Sequence, residues 1–156
     1  MSKKKLYRPN VAAIIVSSDY PKNREIFIAE RNDMENVWQF PQGGIDEGES
    51  SKEALFRELK EEIGTDKIEV IAKYPDWISY EFPEGSAKKM KPYIGQKQKY
   101  YLVRLKKKAK INLDTDHPEF MSYKFVATNK AMKHFKHFKK PIYKKVIKYF
   151  TKEGLL

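Results

Sequence analysis

The sequence predicts an α/β sandwich built on a mixed sheet. Three observations predict it: two strand-length apolar runs near the start, a helix with both start and stop signals in the middle, and a proline-led amphipathic segment near the end. The chain has 156 residues, the size of one ordinary domain with room for a core, and a single domain over 1–156 is expected. Apolar residues make up 40% and aromatics 13%, a composition that folds rather than one that stays disordered.

VAAIIVSS (11–18) is a continuous apolar run of strand length, and PKN (21–23) breaks it before IFIAE (26–30), which together read as a hairpin. WQFPQGG (38–44) holds a proline and two adjacent glycines, so a shaped loop is expected there rather than sheet interior. Ser50 to Glu53 spells S-S-K-E, a capping box with Ser50 at the N-cap, and Gly64 supplies the stop; the helix is predicted over about 51–63. IEVIAKYPDWISYEF (68–82) is strand material interrupted by Pro75. QKQKYYLVRLKKK (96–108) alternates, with Tyr101, Val103 and Leu105 on one face, and the residues before it, EGSAKKMKPYIG, read as a flexible basic loop. EFMSYKFVA (119–127) is a last short strand. A closing helix over about 141–152 starts with Pro141, suited to the first helical position, and buries Ile142, Val146, Tyr149 and Phe150. No internal repeat or low-complexity segment interrupts this order.

Several function classes drop out. The absence of cysteine excludes disulfides, thiolate metal sites and a cysteine nucleophile, so any metal must sit on oxygen or imidazole. No stretch approaches the roughly 18 to 20 apolar residues of a membrane span, and MSKKKLYRPN has no apolar run after its lysines, so a cytoplasmic protein without a membrane partner is expected. The net charge of +11 suggests an anionic partner, although only 5 of the 32 basic residues are arginine and an excess of lysine also arises from genome composition.

Against that positive balance, the run RELKEE places Glu58, Glu61 and Glu62 on one stretch of helix. At about 100° per residue they fall within an arc of roughly 100°, bordering the arc of Leu55, Phe56, Leu59 and Ile63. Like charges three and four apart repel, and a divalent cation would reverse the sign of that interaction. Mg²⁺ takes oxygen ligands and keeps several waters, so two or three carboxylates with substrate phosphates form a reasonable shell. An ordinary charged helix face, with Arg57 and Lys60 as neighbours, is the alternative.

The surroundings bear on that choice. Gly43, Glu49, Arg57-Glu58-Leu59, Glu61-Glu62 and Gly64 stand at the spacing of the Nudix box, the signature of hydrolases acting on a nucleoside diphosphate linked to another group. The chain thus resembles the Nudix family, which implies a Nudix-type α/β/α sandwich with 51–63 as its catalytic helix. By that resemblance Glu58, Glu61 and Glu62 are Mg²⁺ ligands, with Mn²⁺ or another divalent cation as a substitute; the Gly43 carbonyl adds a ligand, and Glu49 pairs with Arg57 to hold the loop on the helix. The box usually closes on an aliphatic residue, where this chain has Thr65, a position of packing rather than chemistry.

YRPNVAAIIV, WQFPQGG, GQKQKYYLV and PEFMSYKFV resemble, more narrowly, the bacterial RNA pyrophosphohydrolase branch, also described as dinucleoside polyphosphate hydrolases. The resemblance implies removal of phosphates from the 5′-triphosphate or 5′-diphosphate end of RNA, which starts mRNA decay. It further implies Glu119 as an additional metal carboxylate, Arg8 as a phosphate contact, and Arg31, Val37 and Phe138 at the first bases, with Phe138 stacking. Lys97 and Lys99 alternate along a strand, so they share a face and are candidates for substrate phosphates; a solvated strand face is the alternative. Phe138 could equally be, with Phe135, a core residue of a helix joint. Nine lysines and no acid lie between Asn129 and Lys152, which predicts salt-sensitive RNA binding. His117, His134 and His137 have no ligand spacing among themselves and read as surface or packing residues.

Two rivals remain. The same glutamates and cation would serve dinucleoside polyphosphates such as diadenosine tetraphosphate, and a non-catalytic RNA-binding protein could keep a vestigial Nudix domain. Against the latter, a decayed box should have lost at least one of three mutually repelling glutamates, and this one has lost none. Oligomeric state and protein activators are not legible.

Overall fold

In the computed structural model, which describes residues 6–83 and 92–156, one mixed sheet separates two helical layers. The chain runs β1 (Tyr7–Val16), β2 (Ile26–Arg31), β3 (Trp38–Gln39), β4 (Gln42–Gly44), α1 (Ser51–Ile63), β5 (Ile68–Lys73), β6 (Ile78–Glu81), β7 (Gly95–Leu105), β8 (Phe120–Val126), α2 (Thr128–His134) and α3 (Lys140–Lys152). The sheet follows the order β3-β2-β1-β7-β5, with β4 also on β1, β6 on β7 and β8 on β2. Only β1 and β7 run parallel, from Tyr7↔Gly95 to Val16↔Arg104; the other described pairs are antiparallel. The α/β sandwich on a mixed sheet is as predicted. Most of the basic loop expected over 84–95 lies outside the described residues.

The continuous apolar run of β1 follows from its central place, because a strand covered on both faces has no reason to alternate polarity. Ala12, Ile14 and Val16 pack with Tyr100 and Leu102 of β7 against Tyr143, Val146 and Phe150 of α3. Val11, Ala13 and Ile15 face the other way, packing with Tyr101 and Val103 against Leu55, Leu59 and Ile63 of α1. A residue's parity on β1 and β7 therefore decides which layer it meets.

Helix α1 has the predicted bounds. The Ser50 side chain accepts from the Glu53 N–H at 3.1 Å, the Glu53 carboxylate accepts from the Ser50 N–H at 3.2 Å, and Gly64 closes the helix at φ 78°. That left-handed conformation suits glycine, and a Cβ there would fall 2.6 Å from the Asn112 carbonyl oxygen.

Three expectations need correction. WQFPQGG is not simply a loop: Ala29 pairs with Gln39 and Glu30 with Trp38, while Gln42, Gly43 and Gly44 pair with Ala12, Val11 and Asn10. Pro41 escapes the ladder as a donor, yet its carbonyl accepts from Ala13 N–H at 3.0 Å, so the proline sits where no N–H is needed. A third helix, α2, was not expected. The closing helix starts one residue early at Lys140, which puts Pro141 second, and it buries Tyr143 and Ile147 besides Val146 and Phe150 while Ile142 and Tyr149 are partly buried.

Candidate phosphate-handling site

The acidic face of α1 is presented to a polar cleft of about 640 Å³. Its walls carry Glu58, Glu61 and Glu62 from α1, Gly43 and Gly44 from β4, Arg8 from β1, Arg31 from β2, Glu119 ahead of β8 and Lys139 ahead of α3. Residues spread over more than 130 positions of sequence thus meet at one end of the sheet.

Arg57 organises the acid side. Its Nε and Nη2 donate to Glu49 Oε2 and Oε1, both at 2.8 Å, and Nη2 also donates to the Gly44 carbonyl at 2.8 Å. Its Nη1 reaches Glu58 Oε1 at 2.9 Å and both Glu61 oxygens at 3.3 Å. A guanidinium provides this fork of fixed donors and an ammonium does not. The hydrogen bonds from Arg57 hold the Glu49 carboxyl down to about 2.

The other glutamates are pushed the opposite way. Burial raises Glu62 well above the ordinary carboxylate range, reinforced by the charges of Glu119 and Glu58, and only the Gln42 N–H, 3.2 Å from Oε2, lowers it. Burial also raises Glu58, against the opposing pull of Arg57. Gly43 is what lets β4 lie this close: a Cβ there would fall 1.9 Å from the Glu58 carboxyl carbon. At Gly44 a Cβ would fall 2.3 Å from Arg8 Nη2, so the arginine lies directly over bare backbone.

Among the described residues, no three acidic or imidazole groups form a closed metal cage. Mg²⁺ seldom uses one, since it binds through one or two carboxylates and substrate phosphates while keeping water. The donor set fits such an ion: it offers hard oxygens only, including the buried carboxylate of Glu62 and the half-buried one of Glu58, with Arg57 shared between Glu58 and Glu61.

Opposite the acids lies a residue that the sequence reading passed over. Lys139 is 6% exposed, and its Nζ donates to Gln42 Oε1 at 2.6 Å. Gln42 Oε1 also accepts from Gln98 Nε2 at 2.8 Å, and Gln98 donates to Asn10 Oδ1 and accepts from the Tyr100 hydroxyl at 2.8 Å. Burial lowers the Lys139 ammonium to about 7. In a chain with 27 lysines (32 basic residues less 5 arginines), nothing local distinguishes this one. His117, set aside as surface or packing, also lines the cleft; His137 does pack, with Nε2 2.9 Å from the Trp38 carbonyl.

The remaining candidates divide. Arg31 lines the cleft while gripping Asp33 at 2.8 and 2.6 Å. Phe138 is 49% exposed whereas Phe135 is fully buried, so Phe135 alone is core; the Phe138 ring is not among the residues lining the cleft but stands 5.3 Å from that of Tyr80, with Lys139 Nζ 6.0 Å from its centroid. Val37, half-buried, accepts from the Arg31 N–H through its carbonyl and does not line the cleft. Lys97 and Lys99 share a face, but the other one: strand parity turns Gln96 toward the cleft and the lysines toward a separate hollow beside Trp77. Thr65, the departure from the box, is buried at 6%.

A mixed α/β/α sandwich with an acid-bearing helix lining a polar cleft defines the class of protein. The model of the NUDIX domain matches residues 6–150, and the chain belongs to that family. It is 65% identical over 151 residues to the RNA pyrophosphohydrolase of a Nitratiruptor species, with 97% of each chain covered. To the RNA pyrophosphohydrolase of Campylobacter jejuni subsp. doylei it is 62% identical over 156 residues, covering 100% of both. Among solved structures it is similar in fold to a binary complex of the C. elegans Ap4A hydrolase, with a TM-score of 0.67 at 17% identity over 92% of this chain and 98% of that one.

Proposed function

We propose that this Nudix protein is a Mg²⁺-dependent RNA pyrophosphohydrolase, which removes phosphates from the 5′-triphosphate or 5′-diphosphate end of RNA in the cytoplasm and so opens transcripts to decay, with residues 1–156 acting as one domain. The observation that carries the reading is the convergence of Glu58, Glu61, Glu62 and Glu119 on one cleft wall with Arg8 and Lys139 in the same cleft. Relatives over the full chain that bear the name RNA pyrophosphohydrolase support the choice of substrate.

In this reading Glu58, Glu61, Glu62, Glu119 and the Gly43 carbonyl hold the cation, with Mn²⁺ able to replace Mg²⁺. The cation would supply Lewis-acid polarisation of the phosphate chain and acidify water there. Arg8 and Lys139 offset the charge of the polyphosphate, Arg8 as a fixed fork and Lys139 as a point charge. Arg57 keeps Glu58 and Glu61 in place and ties the 44–49 loop to α1 through Glu49 and Gly44. In this reading Arg31 and the exposed Phe138 ring take the first bases, because stacking on an exposed aromatic suits unpaired RNA.

Diadenosine tetraphosphate and its kin are the second reading, because nothing about these carboxylates distinguishes one phosphoanhydride from another. The test is release of phosphate or pyrophosphate from a 5′-triphosphate RNA with Mg²⁺ present or chelated, using wild type and Glu62→Gln. Loss of turnover on chelation and in the variant, with RNA binding retained, is expected. Unchanged turnover in Glu62→Gln would sink the metal assignment.

A further inference from the structure

Trp77 is 40% exposed while Trp38, the other tryptophan, is 9% exposed. Lys97 and Lys99 place Nζ 4.9 and 4.8 Å from the centroid of the Trp77 ring. Strand register puts them there. Ile78 pairs with Gln98 and Ser79 with Lys97 across β6 and β7; extending that register by one residue sets Trp77, just ahead of β6, opposite Lys99, and residues two apart share a face.

The hollow beside this group has a volume of about 320 Å³, and its other walls include Pro9, Ile45 and three acids, Asp46, Glu47 and Glu49. Two of these acids face Arg57: Glu49 with both oxygens, and Asp46 Oδ2 at 3.5 Å. Arg57, which also serves Glu58 and Glu61, offsets only part of their charge, and Lys97 and Lys99 are the cations among the residues lining the hollow. The hollow lies one residue along β1 from the cleft, on the sheet face that packs against α1. Pro9 and Ile45 directly follow Arg8 and Gly44, which line the cleft, and Ile45 N–H donates to the Pro9 carbonyl at 3.0 Å. A single strand residue, about 3.3 Å of rise, separates the two linings along the chain.

We propose that Trp77, Lys97 and Lys99 form a second nucleotide platform, on which a base downstream of the reacting 5′ end stacks while the lysines contact its flanking phosphates. The proposal rests on the RNA reading above. A base of any kind can stack on the indole once the Lys97 and Lys99 ammonium groups, which lie over the ring, swing on their flexible stems to the flanking phosphates; the platform is therefore sequence-tolerant. The far nucleoside of a dinucleoside polyphosphate offers the same base-plus-phosphate chemistry. RNA length separates the two sources, because only a longer strand extends past the cleft.

The experiment uses the full chain, wild type and Trp77→Ala, on 5′-triphosphate RNAs of two and of ten nucleotides and on diadenosine tetraphosphate, with the melting temperature as the folding control. Trp77→Ala should raise KM for the longer RNA about tenfold, within the range for losing one base–aromatic stack, and leave kcat and the KM of the two-nucleotide RNA unchanged. Lys97→Gln with Lys99→Gln should flatten the dependence of log KM on log salt for the longer RNA by roughly 1.4, the value for two single-strand phosphate contacts; this second readout stands even if Trp77→Ala melts early. An unchanged KM and salt slope on the longer RNA, or a KM increase confined to diadenosine tetraphosphate, overturns the platform. Wild-type protein that cleaves diadenosine tetraphosphate but neither RNA overturns instead the RNA reading on which the platform rests.

Discussion

Arg57 holds Glu49 by two parallel hydrogen bonds of 2.8 Å, and the same guanidinium anchors Gly44, Glu58 and Glu61. One side chain thereby fixes the loop, the strand and the acidic face of α1 relative to each other. Arg57→Lys keeps the charge but not the fork, so kcat should fall roughly 10- to 100-fold, the range seen for partners that orient metal ligands. Because the pair keeps Glu49 ionised down to about 2, its stabilising contribution is full above the ordinary glutamate value near 4.5 and is lost as pH falls toward 2. Acid melting curves of wild type and Arg57→Lys should therefore converge at low pH; curves that stay parallel from neutral pH down to 2 would contradict this.

Gly43→Ala tests how closely backbone and carboxylate must approach. Its added Cβ would overlap the Glu58 carboxyl group, 1.9 Å from the nearest atom, so Glu58 must leave its position. Turnover should drop by about two orders of magnitude, as for loss of a group that stabilises charge in the transition state. The melting temperature should change little, since Glu58 lies at the cleft wall and not in the core. Full activity in this variant would show that the Glu58 position is not critical.

Phe138 and Phe135 make a matched pair. Phe138→Ala should hurt cleavage of 5′-triphosphate RNA more than cleavage of diadenosine tetraphosphate, with little change in stability, because the ring is half exposed. Phe135→Ala should instead cost about 3 to 5 kcal/mol of stability, as for any buried phenylalanine. Equal losses on both substrates for Phe138→Ala would return that ring to a packing role.

Lys139 gives a pH signature. Burial brings its folded value down to about 7 from an ordinary 10.5, so between those values the unfolded chain binds the proton more readily than the folded one. Stability then rises with pH across that window, and the charged lysine weighs against the fold below it. Melting temperature measured from pH 6 to 10 without divalent ions should show this rise in wild type and lose it in Lys139→Met. Affinity for polyphosphate should fall as pH rises through about 7, where the folded lysine gives up its proton.

Helix α1 was legible because its signals are local. Ser50, Glu53 and Gly64 set both ends, and the spacing of Glu58, Glu61 and Glu62 gave their common face. Strands β3 and β4 were not, because Pro41 and the glycines read locally as a loop while β1 and β2 supply the partners that make them strands. Helix α2 hid for a related reason: its N-cap Ala127 makes no side-chain bond, and Ala131 is its only buried residue. Lys139 was invisible among so many lysines because burial belongs to the tertiary fold. Lys97 and Lys99 were read correctly as sharing a face, but which face depended on the pairing of β7 with β1, whose parity decides what meets the cleft.

The most direct measurement is kcat/KM of the purified protein with Mg²⁺ on a short 5′-triphosphate RNA and on diadenosine tetraphosphate under identical salt. A clear preference for the RNA is expected, lost when Phe138 is replaced by alanine. A preference for the dinucleotide would contradict the RNA assignment, leaving the carboxylate cleft as a phosphoanhydride site and the basic surface between Asn129 and Lys152 without a role in substrate choice.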